Sequence, residues 1–338
     1  MLALALVAAR GHAAEPTGSP APRPLGSGDL GSRTVSYTYQ ASVTAPAGTK
    51  VLELWMPLPR EDDQTVLALS LSGSAPPTVV DQRASGDRVV YVRVADPSGP
   101  VSLVQTATVA RREVRAEPRA SHASVGDIDR AVYAAQLAAS PPMLVNDEIR
   151  AIAARETAGK DTVVARARAL YDWVFAHMEY DKSVPGWGLG DIPYCLKVGK
   201  GNCTDFHTLF MALARASGIP ARWNLGFPLA YGDGGNPPAE PIPVQGYHCW
   251  AEFYAPGAGW VPVDISEARK HPELRDYFFG HLSGNRVLFT RLRGQALEPA
   301  AGSPRNYLIY PVARADGVEL PDVTWSFAYR DEATLAAR

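Results

Sequence analysis

The sequence holds little that would suit a membrane or a polyanion. Beyond the first residues, no stretch reaches the ~18 apolar residues of a membrane span. No integral membrane segment is therefore expected in the mature chain. The formal net charge is −2, charged residues make up 20%, and no Lys/Arg block stands out. This balance argues against nucleic acid or an anionic lipid surface as the main partner. Cysteine is scarce, with Cys195, Cys203 and Cys249 the only three. In an exported protein an odd count leaves a free thiol or an intermolecular bond. A Cys195–Cys249 disulfide would leave Cys203 free, but sequence does not supply the geometry that such a bond needs. No internal repeat is found.

What is present is an ordinary globular composition, with 46% hydrophobic residues in 338. At roughly 100–200 residues per domain, that length suggests two domains. The first residues, MLALALVAARGHAAE, carry a short apolar run from Leu2 to Ala9. Gly11 and Ala13 fit the small residues of a cleavage site, although the basic start of a leader is missing and Arg10 follows the run. Residues 1–14 are read as a signal-peptide remnant, which implies a periplasmic or secreted protein. Residues 15–32 are rich in Pro, Gly and Ser and are read as a disordered linker.

From residue 33 to 118 the signals are those of β structure. Val35, Tyr37 and Tyr39 alternate with polar residues, as do Val90, Val92 and Val94. Clusters of Gly, Pro and Asp break the runs at short intervals, which predicts an antiparallel sandwich-like domain. From 124 to 338 a second domain begins with helical periodicity. Asp161 is placed to cap a helix whose apolar stripe runs from Val163 to Met178. After the loop DKSVPGWGLG comes Gly201-Asn202-Cys203-Thr204-Asp205-Phe206, in which Asn202 is a good N-cap and Asp205 a capping-box acid. The stripe Phe206, Leu209, Phe210, Leu213 and Ala216 continues that helix, and Gly218 and Pro220 end it. Strands are expected at Ala221–Phe227, Tyr247–Tyr254 and Trp260–Ile265, with further strand-like pieces at Arg286–Thr290, Tyr307–Val312 and Thr324–Tyr329.

Cys203 thus falls in a first helical turn, where unpaired N–H groups and the helix dipole favour a thiolate and can hold an oxyanion. Asp205 opposes this modestly as a nearby negative charge. Alone, a cysteine at such a place is more often a small buried hydrophobe. On the following strand His248, Trp250 and Glu252 share one face and Cys249, Ala251 and Phe253 the other. Asp264, on the adjoining strand, can meet His248 and orient its imidazole. The set then has the logic of a nucleophile–base–orienter triad. For His248 alone the bland reading is a satisfied strand histidine, and for Asp264 a strand-end cap.

The three segments GNCTDFHTLFMALARASGIPAR, YHCWAEFY and GWVPVDIS, in that order, resemble the transglutaminase-like core of the papain-type superfamily. The resemblance covers roughly Asp161–Glu267. LWMPLPREDDQ looks like the β domain that precedes such cores in bacterial exported members. The resemblance implies an α+β fold: a papain-like core, with the cysteine-bearing helix packed on an antiparallel sheet, preceded by a β-sandwich-like domain. It implies a catalytic triad of Cys203 as nucleophile, His248 as base and acid, and Asp264 as orienter. Asn202 stands just before the cysteine, where the animal enzymes carry Gln. Trp187 is the local candidate for a tryptophan near the oxyanion, and Trp250 for a wall of the acyl site. The implied reaction is acyl transfer or hydrolysis at an amide, a glutamine side chain or a peptide bond of a peptide or protein, through a thioester.

No cofactor is expected. A metal site could be sought at Cys203 and His207 with His248 and Cys249, but structural zinc needs four well-placed ligands and these strand neighbours are expected on opposite faces. No metal is therefore predicted. The alternative function is a catalytically inactive copy of the fold that binds peptides or proteins.

Overall fold

In the computed structural model, residues 31–140, 143–230, 240–299 and 302–332 are described. The expected leader and nearly all of the expected linker lie outside the described residues. The alternating segments of the first third form seven strands: β1 (Arg33–Val43), β2 (Val51–Pro57), β3 (Gln64–Gly73), β4 (Thr78–Gln82), β5 (Asp87–Ala95), β6 (Val101–Arg111) and β7 (Val114–Arg115). On β1, every second residue from Val35 to Val43 is buried, which is the pleat read directly from its sequence. Helices α1 (Ala134–Leu137), α2 (Asp147–Glu156) and α3 (Val163–His177) follow. The cap of α3 is Thr162, one residue after the expected Asp161; its hydroxyl accepts from the Ala165 N–H at 3.1 Å.

Next come β8 (Glu179–Tyr180), α4 (Ile192–Val198), β9 (Lys200–Gly201) and α5 (Cys203–Ala216). Strands β10 (Ala221–Pro228), β11 (Ile242–Val244), β12 (His248–Ala255) and β13 (Gly259–Val263) lead to α6 (Ile265–Lys270). The chain closes with β14 (His281–Leu282), β15 (Arg286–Thr290), β16 (Val312–Ala315), β17 (Val318–Glu319) and β18 (Thr324–Asp331). Tyr307–Val312, expected as a strand, is irregular up to Val312. Its buried Leu308 and Ile309 are held by side chains instead of a ladder: Thr290 Oγ1 donates to the Leu308 carbonyl and Tyr39 Oη to that of Ile309.

Three antiparallel sheets organise these elements. Two have five strands, in the orders β11-β18-β1-β6-β3 and β17-β16-β2-β5-β4, and form the strand-rich part. The third, β13-β12-β10-β15, is the floor under α5. The C-terminal strands β16 and β18, grouped by sequence with the second half, hydrogen-bond to β2 and β1 of the first. Chain order and sheet membership therefore diverge. Tyr37, Tyr39, Phe227, Phe289 and Phe327 interlock across β1, β10, β15 and β18, joining one large sheet to the floor.

Helix α5 is not a striped surface helix. Every residue from Cys203 to Ala214 is buried, because the floor lies on one side and α2, α3, α4 and α6 surround the rest. A helix buried all round must satisfy its own polar side chains. Thr208 Oγ1 does so by donating to the Thr204 carbonyl at 2.7 Å. The mixed α/β architecture, with antiparallel sheets and a cysteine helix on the smallest of the three, is the fold class that the sequence implied.

Candidate active site

The start of α5 is built by its own sequence. Asn202 Oδ1 accepts from the Thr204 N–H at 2.9 Å, and Asp205 Oδ2 accepts from the Asn202 N–H at 2.9 Å, which completes a capping box. Asp205 also reaches the preceding loop, accepting from the N–H groups of Gly188 at 2.7 Å and Gly190 at 2.9 Å. A Cβ at Gly201 would overlap the Asp205 carboxylate, so glycine at 201 is a steric requirement of this cap. Asn202 Nδ2 donates to Tyr247 Oη at 3.1 Å, and that hydroxyl also bonds Thr204 Oγ1 at 2.6 Å. Tyr247, which the sequence reading did not single out, thus ties the residue before His248 to the first turn bearing Cys203.

His248 opens β12, and its Nε2 lies 2.7 Å from Asp264 Oδ2. Asp264 is not inside the adjoining strand, as its sequence pattern suggested. β13 ends at Val263, and Asp264 is the N-cap of α6. Its strand-end cap role and its contact with histidine therefore coexist. Oδ1 accepts from Ser266 Oγ and the Glu267 N–H, both at 3.1 Å, and Oδ2 accepts from Arg286 Nη1 at 2.7 Å. All four contacts favour the carboxylate. Burial works against its charge, but His248 and Arg286 outweigh it and hold the acid well below its usual range.

With Nε2 engaged by Asp264, the other ring nitrogen, Nδ1, is left for the sulfur. Burial disfavours a charged imidazole, but the Asp264 carboxylate, its hydrogen bond and Cys203 raise His248 to about 9. Burial likewise disfavours the Cys203 thiolate. Hydrogen bonding from Cys249 and His248, with the charge of His248, reverses this and pulls the thiol well below its usual range. The two shifts describe one event, a proton moved from sulfur to imidazole. Negative charge on Asp205 and on the Cys203 sulfur oppose each other, as expected from their spacing.

Along β12, His248 stacks beside Trp250, while Cys249 and Phe253 turn to α5, with Cys249 Sγ 3.6 Å from His207 Nδ1 and Phe253 against Phe210. The face that carries Cys249 is therefore the one covered by the helix of Cys203, and Cys249 is one of the groups that lower the Cys203 thiol. All three cysteines are free and buried.

Both ends of the Asn202 amide are taken up by the cap and by Tyr247. Trp187 is half-buried on the loop that Asp205 holds, with Lys182 Nζ 5.3 Å from its ring centre. Trp250, read from sequence as a wall of the acyl site, is buried inside the floor. It stacks beside His248 at 6.3 Å, with the guanidinium of Arg286 at 4.9 Å and that of Arg111 at 5.8 Å. Such a ring braces the histidine and offers substrate no surface. His207 is neutral, because burial lowers it to about 4, so its 3.7 Å approach to Asp264 is not an ion pair. Among the described residues no group of three or more His, Cys, Asp or Glu is arranged to hold a metal ion.

Residues 150–265 match the family model of the transglutaminase-like superfamily. An uncharacterized protein of Haemophilus influenzae is 29% identical over 315 residues, covering 83% of this chain and 85% of that protein. The uncharacterized protein YebA of Bacillus subtilis is 24% identical over 139 residues, 39% of this chain and 19% of its own. Among solved structures, a candidate cysteine protease of Cytophaga hutchinsonii is similar in fold. Its TM-score is 0.58 at 16% identity, covering 90% of this chain and 92% of that one.

Proposed function

We propose that this chain, whose residues 150–265 match the transglutaminase-like superfamily, is a cysteine enzyme that transfers or hydrolyses acyl groups of amides through a Cys203 thioester. The observation that carries this reading is the buried Asp264–His248 contact at 2.7 Å, coupled to a Cys203 thiol held below its usual range. Substrates are peptides or proteins, which supply either a glutamine side chain or a peptide bond. Export to the periplasm or beyond belongs to the same reading and rests on the apolar run Leu2–Ala9. No helix among the described residues is long and apolar enough to cross a membrane.

The Cys203 thiolate adds to the amide carbonyl carbon, and the carbonyl oxygen takes up the charge. The cap occupies the N–H groups of Asn202 and Thr204, so the Cys203 N–H, at the first helical position, is the donor suited to that oxyanion. The His248 imidazolium gives its proton to the departing nitrogen, the C–N bond breaks, and a thioester remains. Water or a primary amine then attacks the thioester carbon, His248 takes the proton from the attacking group, and the thiolate leaves. Asp264 keeps the imidazole oriented and its charged form favoured throughout, and Arg286 fixes Asp264.

Mass spectrometry of glutamine-containing peptides incubated with the protein and a primary amine tests this. Amine gain with ammonia loss is transfer, a one-dalton gain is deamidation, and chain cleavage is proteolysis. Any of these is expected from the wild type, and none from Cys203→Ala. Product formation by Cys203→Ala would contradict the assignment, and no product from any amide would favour a peptide-binding module.

A further inference from the structure

The acyl-transfer chemistry leaves Cys249 without a part, although it packs on the helix that carries the nucleophile. Its Sγ lies 3.6 Å from His207 Nδ1. His207 is one turn along α5 from Cys203, so both occupy one side of that helix. The Ile265 N–H donates to His207 Nε2 at 3.0 Å, which leaves the ring proton of the neutral imidazole on Nδ1, aimed at the Cys249 sulfur. Cys249 thus receives a hydrogen bond from His207 and turns its own S–H to Cys203. Cys195 is directed elsewhere, with its Sγ 3.7 Å from the Asp205 carbonyl oxygen.

We propose that Cys203 and Cys249 form an oxidation site, at which a hydroperoxide joins them in a disulfide that blocks the nucleophile. This rests on the reading of Cys203 as a reactive thiolate, but not on its acting upon amides. The thiolate attacks one peroxide oxygen and the O–O bond breaks. The departing oxygen takes the His248 proton and leaves as water, or as an alcohol from an organic hydroperoxide. Cys203 is then a sulfenic acid. The Cys249 sulfur attacks the sulfenic sulfur, the S–OH bond breaks, and the hydroxyl leaves as water with the Cys249 proton. Two thiols have been oxidised by two electrons and one peroxide reduced. Cys249 is as buried as Cys203, but its thiol is held above its usual range, so it resolves the sulfenic acid and is not the group that attacks peroxide. Cys249 lies against His207, one turn along α5 from Cys203, and closing to the ~2.0 Å bond requires turning two side chains.

The test uses the full chain, reduced and then exposed to a few equivalents of hydrogen peroxide. Free thiols are alkylated in urea, and the protein is digested without reductant for mass spectrometry. One crosslinked peptide pair is expected, Cys203 to Cys249 and lighter by two hydrogens, with Cys195 fully alkylated. A dithiol reductant should restore alkylation of both. In Cys249→Ser, Cys203 should pass on to sulfinic acid that the reductant does not reverse. Wild-type Cys203 found as sulfinic acid beside free Cys249 would overturn the proposal. So would a crosslink through Cys195, or no oxidation of either thiol. Because this readout needs no amide substrate, a failed crosslink and a failed turnover assay are separate results.

Discussion

At the scale of single residues, the decisive quantity is where one proton sits. The thiol of Cys203 is lowered and the imidazole of His248 raised to about 9, so the thiolate–imidazolium form spans neutral pH. Turnover should fall in acid, where the sulfur takes its proton back. It should fall again as pH rises through about 9, where His248 can no longer protonate the leaving amine. Asp264→Asn removes the charge that favours the imidazolium. Its kcat/KM should drop by on the order of 10³–10⁴-fold, by analogy with the orienting aspartate of other triads. Its alkaline limb should also move to lower pH, and an unmoved limb in a pH–rate profile would show that Asp264 does not set it. The types and order of Cys203, His248 and Asp264 were legible in the sequence. Arg286 was not, because it follows Asp264 by 22 residues on a strand that reads only as apolar. Nor was the place of Cys249 against His207, because strand alternation sorts the faces of β12 without saying which helix covers them.

Among the elements, the start of α5 is the most constrained by its own letters. Asp205 gathers three backbone N–H groups, from Asn202, Gly188 and Gly190. Replacing it with Ala leaves these donors buried and unmet, at about 1–3 kcal/mol each. A fall of several kcal/mol in unfolding free energy, read from urea titration, is expected. A change below about 1 kcal/mol would mean that the loop re-satisfies them. Gly201→Ala should act through the same cap, since its Cβ competes with the Asp205 carboxylate. β15 supplies the other constraint. Arg286→Met leaves the buried Asp264 short of its cation and should cost about 3–5 kcal/mol in the same titration. Capping was legible because Asn202 and Asp205 are local. The burial of α5 on every side was not, because its polar positions Thr204, Asp205, His207 and Thr208 look solvent-facing until their partners are known.

Across the whole molecule, the strand-rich part and the cysteine core are fastened at the segment LWMPLPREDDQ. The Gln64 amide both donates to the Leu288 carbonyl at 2.8 Å and accepts from its N–H at 2.9 Å, so it pairs with β15 as a strand would. The Arg60 N–H also donates to the Leu288 carbonyl, and Asp62 pairs with Arg291 at 2.9 Å. Heat or urea should therefore unfold the molecule in one transition. Two well-separated transitions would indicate independent domains. A fragment starting at residue 124 should not fold, because β16 and β18 would lose the strands they pair with. Only the intact fold surrounds Cys203 with the groups that ionise it, so its reactivity should collapse on unfolding. The rate of Cys203 alkylation by iodoacetamide, followed by peptide mass spectrometry from acid to alkaline pH, measures this directly. In the folded protein Cys203 is expected to label at mildly acidic pH, far faster than the same residue in urea. Equal rates in the two states, or a folded profile that rises only near the ordinary thiol pKa of ~8.5, would contradict a thiolate nucleophile.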